Sequence, residues 1–319
     1  MDWGTIFSFL GTDVPTQALI WTILALGVFI SYKVLNIADL SVDTLFPFAG
    51  IISLTLINLG VEPLLALLLS VLCGMAVGYL NAALHIYLKI NPLLAGIIIM
   101  IALYTPNVVI SKGNVSIDSG NYSVFTKLNL LFDNLTAVKI VVLALSVVAI
   151  MLLMYWFFGT ELGLALRASG KNGQMSKAQG INTGRMYILG MILSAALISL
   201  AGALYAQMNK HTHPTAGQGA IVIGLTILFL GEVCFGNKSF KISLISVVVG
   251  ALIYWLILDV IIEIPNFNTS YLNLVKAGFI TLVVCLNEVK KKMKRKKLLQ
   301  DAKININKDL EAEQGGVTL

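Results

Sequence analysis

Ionisable side chains are scarce in the apolar parts of this sequence, so those that fall there carry the first argument. Asp39 and Asp43 stand at the head of the run FPFAGIISLTLINLG, and Glu232 follows Gly231 at the close of GAIVIGLTILFLG. A carboxylate in hydrocarbon costs at least about 2.5 kcal/mol, and such groups persist where they gate a solute path or carry a coupling ion. They also persist as caps of helix N-termini, where the backbone dipole favours negative charge. Asp39 and Asp43 are read first as caps at the inner start of a helix and second as gate candidates. Glu232 is expected to pair with Arg167, Arg185 or Lys238. Asn58, Asn81, His85 and Asn107 lie in or at the ends of other apolar runs, where interhelical hydrogen bonds worth about 1 kcal/mol explain them. Asn58 and Asn107 fall in the outer half beside glycine-punctuated backbone, so they are also pathway candidates.

Catalytic signatures are absent. The nearest approach to a phosphate-binding loop is Gly231–Ser239, but Asn237 stands where the lysine must follow the glycine. His211 and His213 flank one threonine beside Pro214 and have no third ligand near them, which is weak ground for a metal site. Cys73, Cys234 and Cys285 all lie in apolar segments without a C-x-x-C spacing and are read as buried small hydrophobes.

Composition sets the class. Hydrophobic residues make up 57% of the 319 and charged residues 12%, against roughly 25% charged in a soluble domain. The chain is therefore read as an all-α polytopic membrane protein. The net charge of +6 does not point to nucleic acid, because seven of the 22 basic residues lie between Lys290 and Lys297, after the last apolar run. That cluster is read as an anchor facing anionic membrane lipid. The expected layout is a transmembrane domain over 1–288 and a basic, then polar, cytoplasmic tail over 289–319.

About 20 apolar residues cross a bilayer, and on that measure nine spans are expected: 16–35, 44–60, 63–88, 92–111, 135–158, 187–207, 218–235, 241–262 and 272–288. With basic loops placed inside, Lys33, Lys89, the 161–185 segment, Lys238, Lys241 and the tail are cytoplasmic, and the N-terminus is outside. No basic residue precedes Lys33, so the first span is read as retained rather than as a cleaved signal. The longest outer loop, 112–134, is too polar to span; solvated connector and contact for a delivery protein stand as equal readings. Pro47, Gly50 and Gly60 punctuate the second span, and Gly217, Gly219, Gly224 and Gly231 the seventh. Two short, glycine-interrupted spans in corresponding places point to a central pathway. The echo of GIISLTLINLG in GAIVIGLTILFLG leads to an expected inverted repeat of spans 2–5 against 6–9.

The stretch Glu161–Asn182, ELGLALRASGKNGQMSKAQGIN, is a polar island between two long apolar runs. Met175–Gln179 followed by Gly180 reads as a short surface helix with a glycine stop. The pattern Gly163, Ala165, Leu166, Arg167, Ala168, Gly170, Asn172, then Met175, Ala178, Gly180, Ile181, Asn182 resembles the coupling loop of ABC importer permeases of the branched-chain amino acid and ribose type. Further stretches resemble the same family: LNIADLSVD, KINPLLAGIIIMIALY with Asn107 after it, LGMILSAALISLAGALYAQ and GQGAIVIGLTILFLGE, so the likeness runs from about residue 20 to 285. It is strongest toward the branch with tryptophan and tyrosine importers. The segment MNKHTHPTAGQG departs from the family, which tends to carry an acidic residue there, and Lys276 is also unusual.

The resemblance implies a permease without enzymatic activity of its own in a bacterial plasma membrane, with its C-terminus cytoplasmic. It implies two copies of a separate ABC ATPase that bind the ATP and Mg, since none is bound by this chain. It implies a second permease copy in a homodimer, and an extracellular binding protein that delivers the solute, an amino acid with the aromatic ones as the first expectation. It places ATPase coupling on Arg167, Gly170, Asn172, Met175, Ala178 and Gly180. Ion-gradient-driven secondary transport is the alternative; it needs intramembrane carboxylates, for which Asp43, Glu232 and Asp259 are the candidates.

Overall fold

The computed structural model describes residues 3–118, 120–129, 135–236, 240–262 and 274–285, with 287, 289, 292 and 293. Lys238, most of the tail after 289 and the side chains before Val14 lie outside the described residues. By contacts the chain divides into residues 1–267 and 268–319.

The first unit is almost wholly helical. Its helices are α1 (Trp3–Val28, continued by a π-helical turn, Phe29–Val34), α2 (Val42–Asn58), α3 (Pro63–Leu88), α4 (Pro92–Ser111), α5 (Val124–Asn129), α6 (Leu135–Gly159), α7 (Glu161–Lys171), α8 (Gly173–Ala178), α9 (Thr183–Asn209), α10 (Ala220–Phe235) and α11 (Phe240–Ile262). Two short strands, β1 (Val115–Ser116) and β2 (His211–Thr212), pair antiparallel. In the second unit the described residues include the apolar helix α12 (Leu274–Cys285).

Among the described residues six helical segments are long and apolar enough to cross a membrane: Val14–Val34, Pro63–Leu88, Pro92–Ser111, Thr136–Gly159, Thr183–Asn209 and Phe240–Ile262. The other three expected spans are also helical but shorter: α2, α10 and α12. The 17 residues of α2 and 16 of α10 reach only about 25 Å at 1.5 Å per residue, less than the hydrocarbon thickness of about 30 Å.

The core is built around α1, α2, α9 and α10. In the most apolar windows 83% of α1 and 61% of α9 is buried, against 22% of α4 and 28% of α6, so α4 and α6 turn large apolar faces outward. α9 packs along α2 and α3, while α1 packs along α10 and α11. Glycine sets the spacing at these crossings. A Cβ on Gly202 of α9 would lie 2.0 Å from the Phe46 carbonyl oxygen of α2, and one on Gly74 of α3 would lie 1.7 Å from Ser199 Oγ of α9. Close backbone approach replaces the hydrophobic driving force that lipid does not supply.

Two expectations are corrected here. α2 runs unbroken through Pro47 and Gly50, and α10 through Gly224 and Gly231. These inner glycines are packing sites: a Cβ on Gly50 would meet Gly202 O at 3.0 Å, and one on Gly231 would meet Ser246 O at 2.2 Å. The irregular backbone lies ahead of each helix, at 35–41 and 213–219. The three cysteines are exposed, not buried; Cys73 lies among the outward leucines of α3, where apolar character suits lipid as well as a core.

The 112–129 segment has more structure than a solvated connector. β1 pairs with β2, and Asn58 at the end of α2 clamps it: Asn58 Nδ2 donates to Ser116 O at 2.8 Å and its Oδ1 accepts from Asp118 N at 3.1 Å. Buried Gln207 of α9 ties the same end together, donating to Ser53 Oγ (2.9 Å) and Pro63 O (3.1 Å) and accepting from Val124 N (3.1 Å). Lys127 pairs with Glu62 there, which holds the Glu62 carboxyl below its ordinary range. At the other end of the helical body lie Lys33, Glu232, α7 and α8.

Candidate solute path and coupling site

The link 35–41 and the first turn of α2 collect most of the polar candidates. Asp39 is buried; its Oδ1 accepts from Ser41 N at 3.0 Å and from Asn81 Nδ2 of α3 at 2.9 Å. Gly96 of α4 lets the link approach, because a Cβ there would sit 3.0 Å from Asp39 Oδ1. Asn107, higher on α4, donates through Nδ2 to Thr44 O at 3.0 Å. Its Oδ1 is buried and unpaired, as are Asn81 Oδ1 and the Tyr187 hydroxyl. Three orphaned polar atoms around one link are a costly arrangement, of the kind a second conformation can relieve.

Asp43 is a cap, as its chemistry predicts, but of another helix. Its Oδ2 accepts from Gly219 N at 3.1 Å and its Oδ1 from Ile221 N at 3.0 Å, both at the N-terminus of α10. Gly219 makes the turn at φ +77°, a region open to glycine. Pro47 has no N–H to offer the Asp43 carbonyl, and Gly217 packs against that carbonyl, where a Cβ would come within 2.2 Å of the oxygen. The N-terminal ends of α2 and α10 therefore meet inside the body. From that point the helices diverge, α2 to the Asn58 clamp and α10 to Glu232.

Glu232 pairs with Lys33 at the end of α1. The expected partners Arg167 and Arg185 are displaced because α10 runs back along α1, which brings a lysine remote in sequence beside it; Lys238 lies outside the described residues. The structure thus gathers Asp39, Asp43 and Asn107 around the link and the first turn of α2, and leaves Asn58 and Glu232 at opposite ends of the first unit's helical body. Asn81 and Lys33 complete the polar partnerships; each is a polar residue at an apolar helix and was visible as that, but not as a partner.

The polar island folds as two helices rather than one. Thr160 Oγ1 caps α7 by accepting from Gly163 N at 3.3 Å. Asn172 Oδ1 accepts from Met175 N at 3.1 Å and caps α8. Ile181 N closes α8 on Ser176 O at 3.0 Å, with Gly180 at φ +83°. The short surface helix with its glycine stop is as expected, and Met175, Lys177, Ala178 and Gly180 are all exposed. Arg167 is turned inward, its guanidinium 4.8 Å from the Phe240 ring centroid. Gly170 seats α7 on the end of α1: a Cβ there would fall 1.8 Å from Val34 O. A groove of about 710 Å³ runs between these helices and the end of α3, with Gly170, Lys177, Gly180, His85 and Tyr187 among its walls.

Residues 12–284 match the family model described as the branched-chain amino acid transport system permease component. This chain belongs to that family. The permease is 33% identical over 301 residues to the tyrosine transport system permease protein of Clostridioides difficile (strain R20291), an alignment covering 93% of the permease and 98% of that protein. It is 27% identical to the D-allose transport system permease protein of Escherichia coli (strain K12), over 87% of the permease and 83% of that chain. It is 24% identical to the ribose import permease protein of the same strain, over 87% and 85%. No solved structure matches the permease. The sequence resemblance is thereby upheld: this is a multi-pass membrane permease component of a transport system.

Proposed function

We propose that this permease is the membrane-spanning subunit of an ATP-driven importer in a bacterial inner membrane, and that it passes a small amino acid-like solute, tyrosine first among the candidates. The observation that carries the reading is α8: an exposed, doubly capped helix whose neighbour α7 is seated through Gly170 on the end of α1. A partner pressing on α8 moves the end of the central helix directly. In this reading two copies of a separate ABC ATPase bind the nucleotide and dock on α8, a second permease copy completes a homodimer, and an extracellular binding protein delivers the solute. The tyrosine permease likeness over nearly its whole length supports the solute.

The end with α7, α8 and Lys33 is cytoplasmic in this reading, the basic C-terminal tail is assigned to the same side of the membrane from its charge, and all nine apolar helices cross the bilayer. Exposed Tyr87, Tyr155 and Trp156 near that end support it, since such rings favour the membrane interface. The packing supports an inverted repeat that pairs α1, α2 and α3 with α9, α10 and α11, one span earlier than the frame read from sequence. The meeting N-termini of α2 and α10 then lie near the bilayer midplane, where discontinuous helices of transporters present their positive ends to solute. Ion-gradient coupling has less support: both Asp43 oxygens already accept amides, and Glu232 is paired with Lys33.

The test is uptake by proteoliposomes holding the permease with the ATPase and binding protein that co-purify with it. Tyrosine uptake that requires ATP and survives an uncoupler is expected; uptake that an uncoupler abolishes overturns the reading. Gly180→Trp sharpens it. The site has open space around it, so the cost is the positive φ alone, about 1 kcal/mol, and the permease folds. The indole then stands on the docking face, and ATPase retention in a pull-down should fall at least tenfold. Arg167→Glu should weaken the same contact less, about threefold, because Arg167 acts by holding α7 to Phe240.

A further inference from the structure

The groove of about 710 Å³ beside α7 and α8 is walled in part by the link 35–41 itself. Leu35 and Ile37 of the link line it, with Ile86 of α3 and Ile181 after α8. Leu35 is buried and Ile37 half-buried, so apolar link surface lies open to whatever enters.

The rim is cationic. Lys177 and His85 are walls of the groove. Lys171 and Arg185 directly follow the walls Gly170 and Gly184, and Lys89 ends the helix that carries His85. All four lysine and arginine side chains are exposed. Among the described residues no ion pair joins any of them to a carboxylate. Glu161 stands at the far end of α7 from Lys171, about 15 Å away along the helix. Asp39 is buried beyond Tyr187, where it already accepts from Ser41 N and Asn81 Nδ2. Charge bias across a membrane needs no particular placement of cations within a loop. Here they come from three separate segments, the end of α3, the α7–α8 pair and the start of α9, and meet around one recess. Such a ring steers and holds a partner that brings carboxylates, and the apolar walls between the cations call for an apolar side chain beside them.

We propose that this groove receives an acidic segment of the ATPase subunit, its carboxylates against Lys177 and Arg185 and an apolar side chain against Ile37 and Ile86. The identity of this occupant rests on the reading that an ATPase docks on α8. The groove adds a second contact to that docking, in which the partner touches the link without α7 in between. The link carries Asp39 to Asn81 and leads into Asp43 at the start of α10, so a segment entering or leaving the groove bears on the α2–α10 junction.

The experiment is maleimide labelling of Ile37→Cys in a permease with Cys73, Cys234 and Cys285 replaced by alanine, with and without the ATPase that co-purifies with it. The cysteine is expected to label in the detergent-solubilised permease alone and at least fivefold more slowly with the ATPase bound. Lys177→Glu, at an exposed position that leaves the fold intact, should cut ATPase retention at least tenfold in low salt, where screening is weakest. Lys177→Gln removes attraction without adding repulsion and should cut it about threefold. An unchanged labelling rate with the ATPase retained overturns the groove contact and leaves the importer reading standing. Equal losses in Lys177→Glu and Lys177→Gln overturn the acidic partner. Absence of labelling in the permease alone means that the permease or a second copy covers the groove, and overturns the contact. Protection in phosphatidylglycerol vesicles but not in phosphatidylcholine vesicles, without the ATPase, assigns the groove to a membrane surface and overturns it too. Failure to recover any ATPase overturns both the groove contact and the importer reading.

Discussion

Asp43→Ala is expected to reduce uptake to under a tenth of wild type and to lower the melting temperature of the detergent-solubilised permease. The carboxylate holds two amides at the start of α10 in a half-buried junction, where water replaces the lost acceptor only in part. Loss of a cap alone costs about 1 kcal/mol, and each hydrogen bond to a charged group contributes about 1.5–3 kcal/mol, so a loss of about 3 kcal/mol is expected. Asp43→Asn separates the readings. The amide retains one acceptor oxygen, so a capping role predicts recovery of about half of the stability and measurable ATP-driven uptake. A role as the ion-carrying group of a secondary transporter predicts that asparagine is as inactive as alanine at normal stability. Wild-type melting and flux in Asp43→Ala would remove the α2–α10 junction from the mechanism.

The fate of Asp43 also shows what was legible in the sequence. That a carboxylate beside an apolar run caps a helix follows from local chemistry, and it does. Which helix it caps depends on the fold, and Gly219 is 176 positions away. Gly180 was readable outright because stopping a short helix involves neighbours in the chain; Asn172 was picked out by the family pattern alone, although its cap on α8 is just as local. Lys33 with Glu232 was not, since the two meet only because α10 returns along α1. The glycines misled for a physical reason: in an apolar run a glycine serves equally to break a helix or to admit a neighbouring backbone, and Gly50 and Gly231 do the second. The expected apolar spans are helical where they are described, but hydropathy does not tell that α2 and α10 start from a shared point. Arg167, read as a surface contact, faces a ring on α11 that spacing along α7 alone does not reveal.

Gly170→Leu is expected to uncouple hydrolysis from transport. Gly170 is where α7 rests on Val34, with Leu35 beside it, and Leu35 packs in turn against Gly190 of α9. The next residues are the link that carries Asp39 to Asn81 and Asp43 to α10. A continuous set of packed contacts therefore runs from exposed α8 to the meeting point of α2 and α10. A leucine at 170 cannot fit against a carbonyl 1.8 Å from its Cβ position, so α7 must lift from α1, at about 1–3 kcal/mol of overpacking. α8 keeps its own caps and its exposed face. ATPase retention in a pull-down should then stay within about twofold, while solute moved per ATP hydrolysed falls at least tenfold, each 1.4 kcal/mol of lost coupling being worth about that factor. Gly173→Ala, in the adjoining helix with nothing within 4 Å of the added carbon, should leave both quantities unchanged. A wild-type transport ratio in Gly170→Leu would mean that force reaches the junction by another route, through α9 rather than through the end of α1.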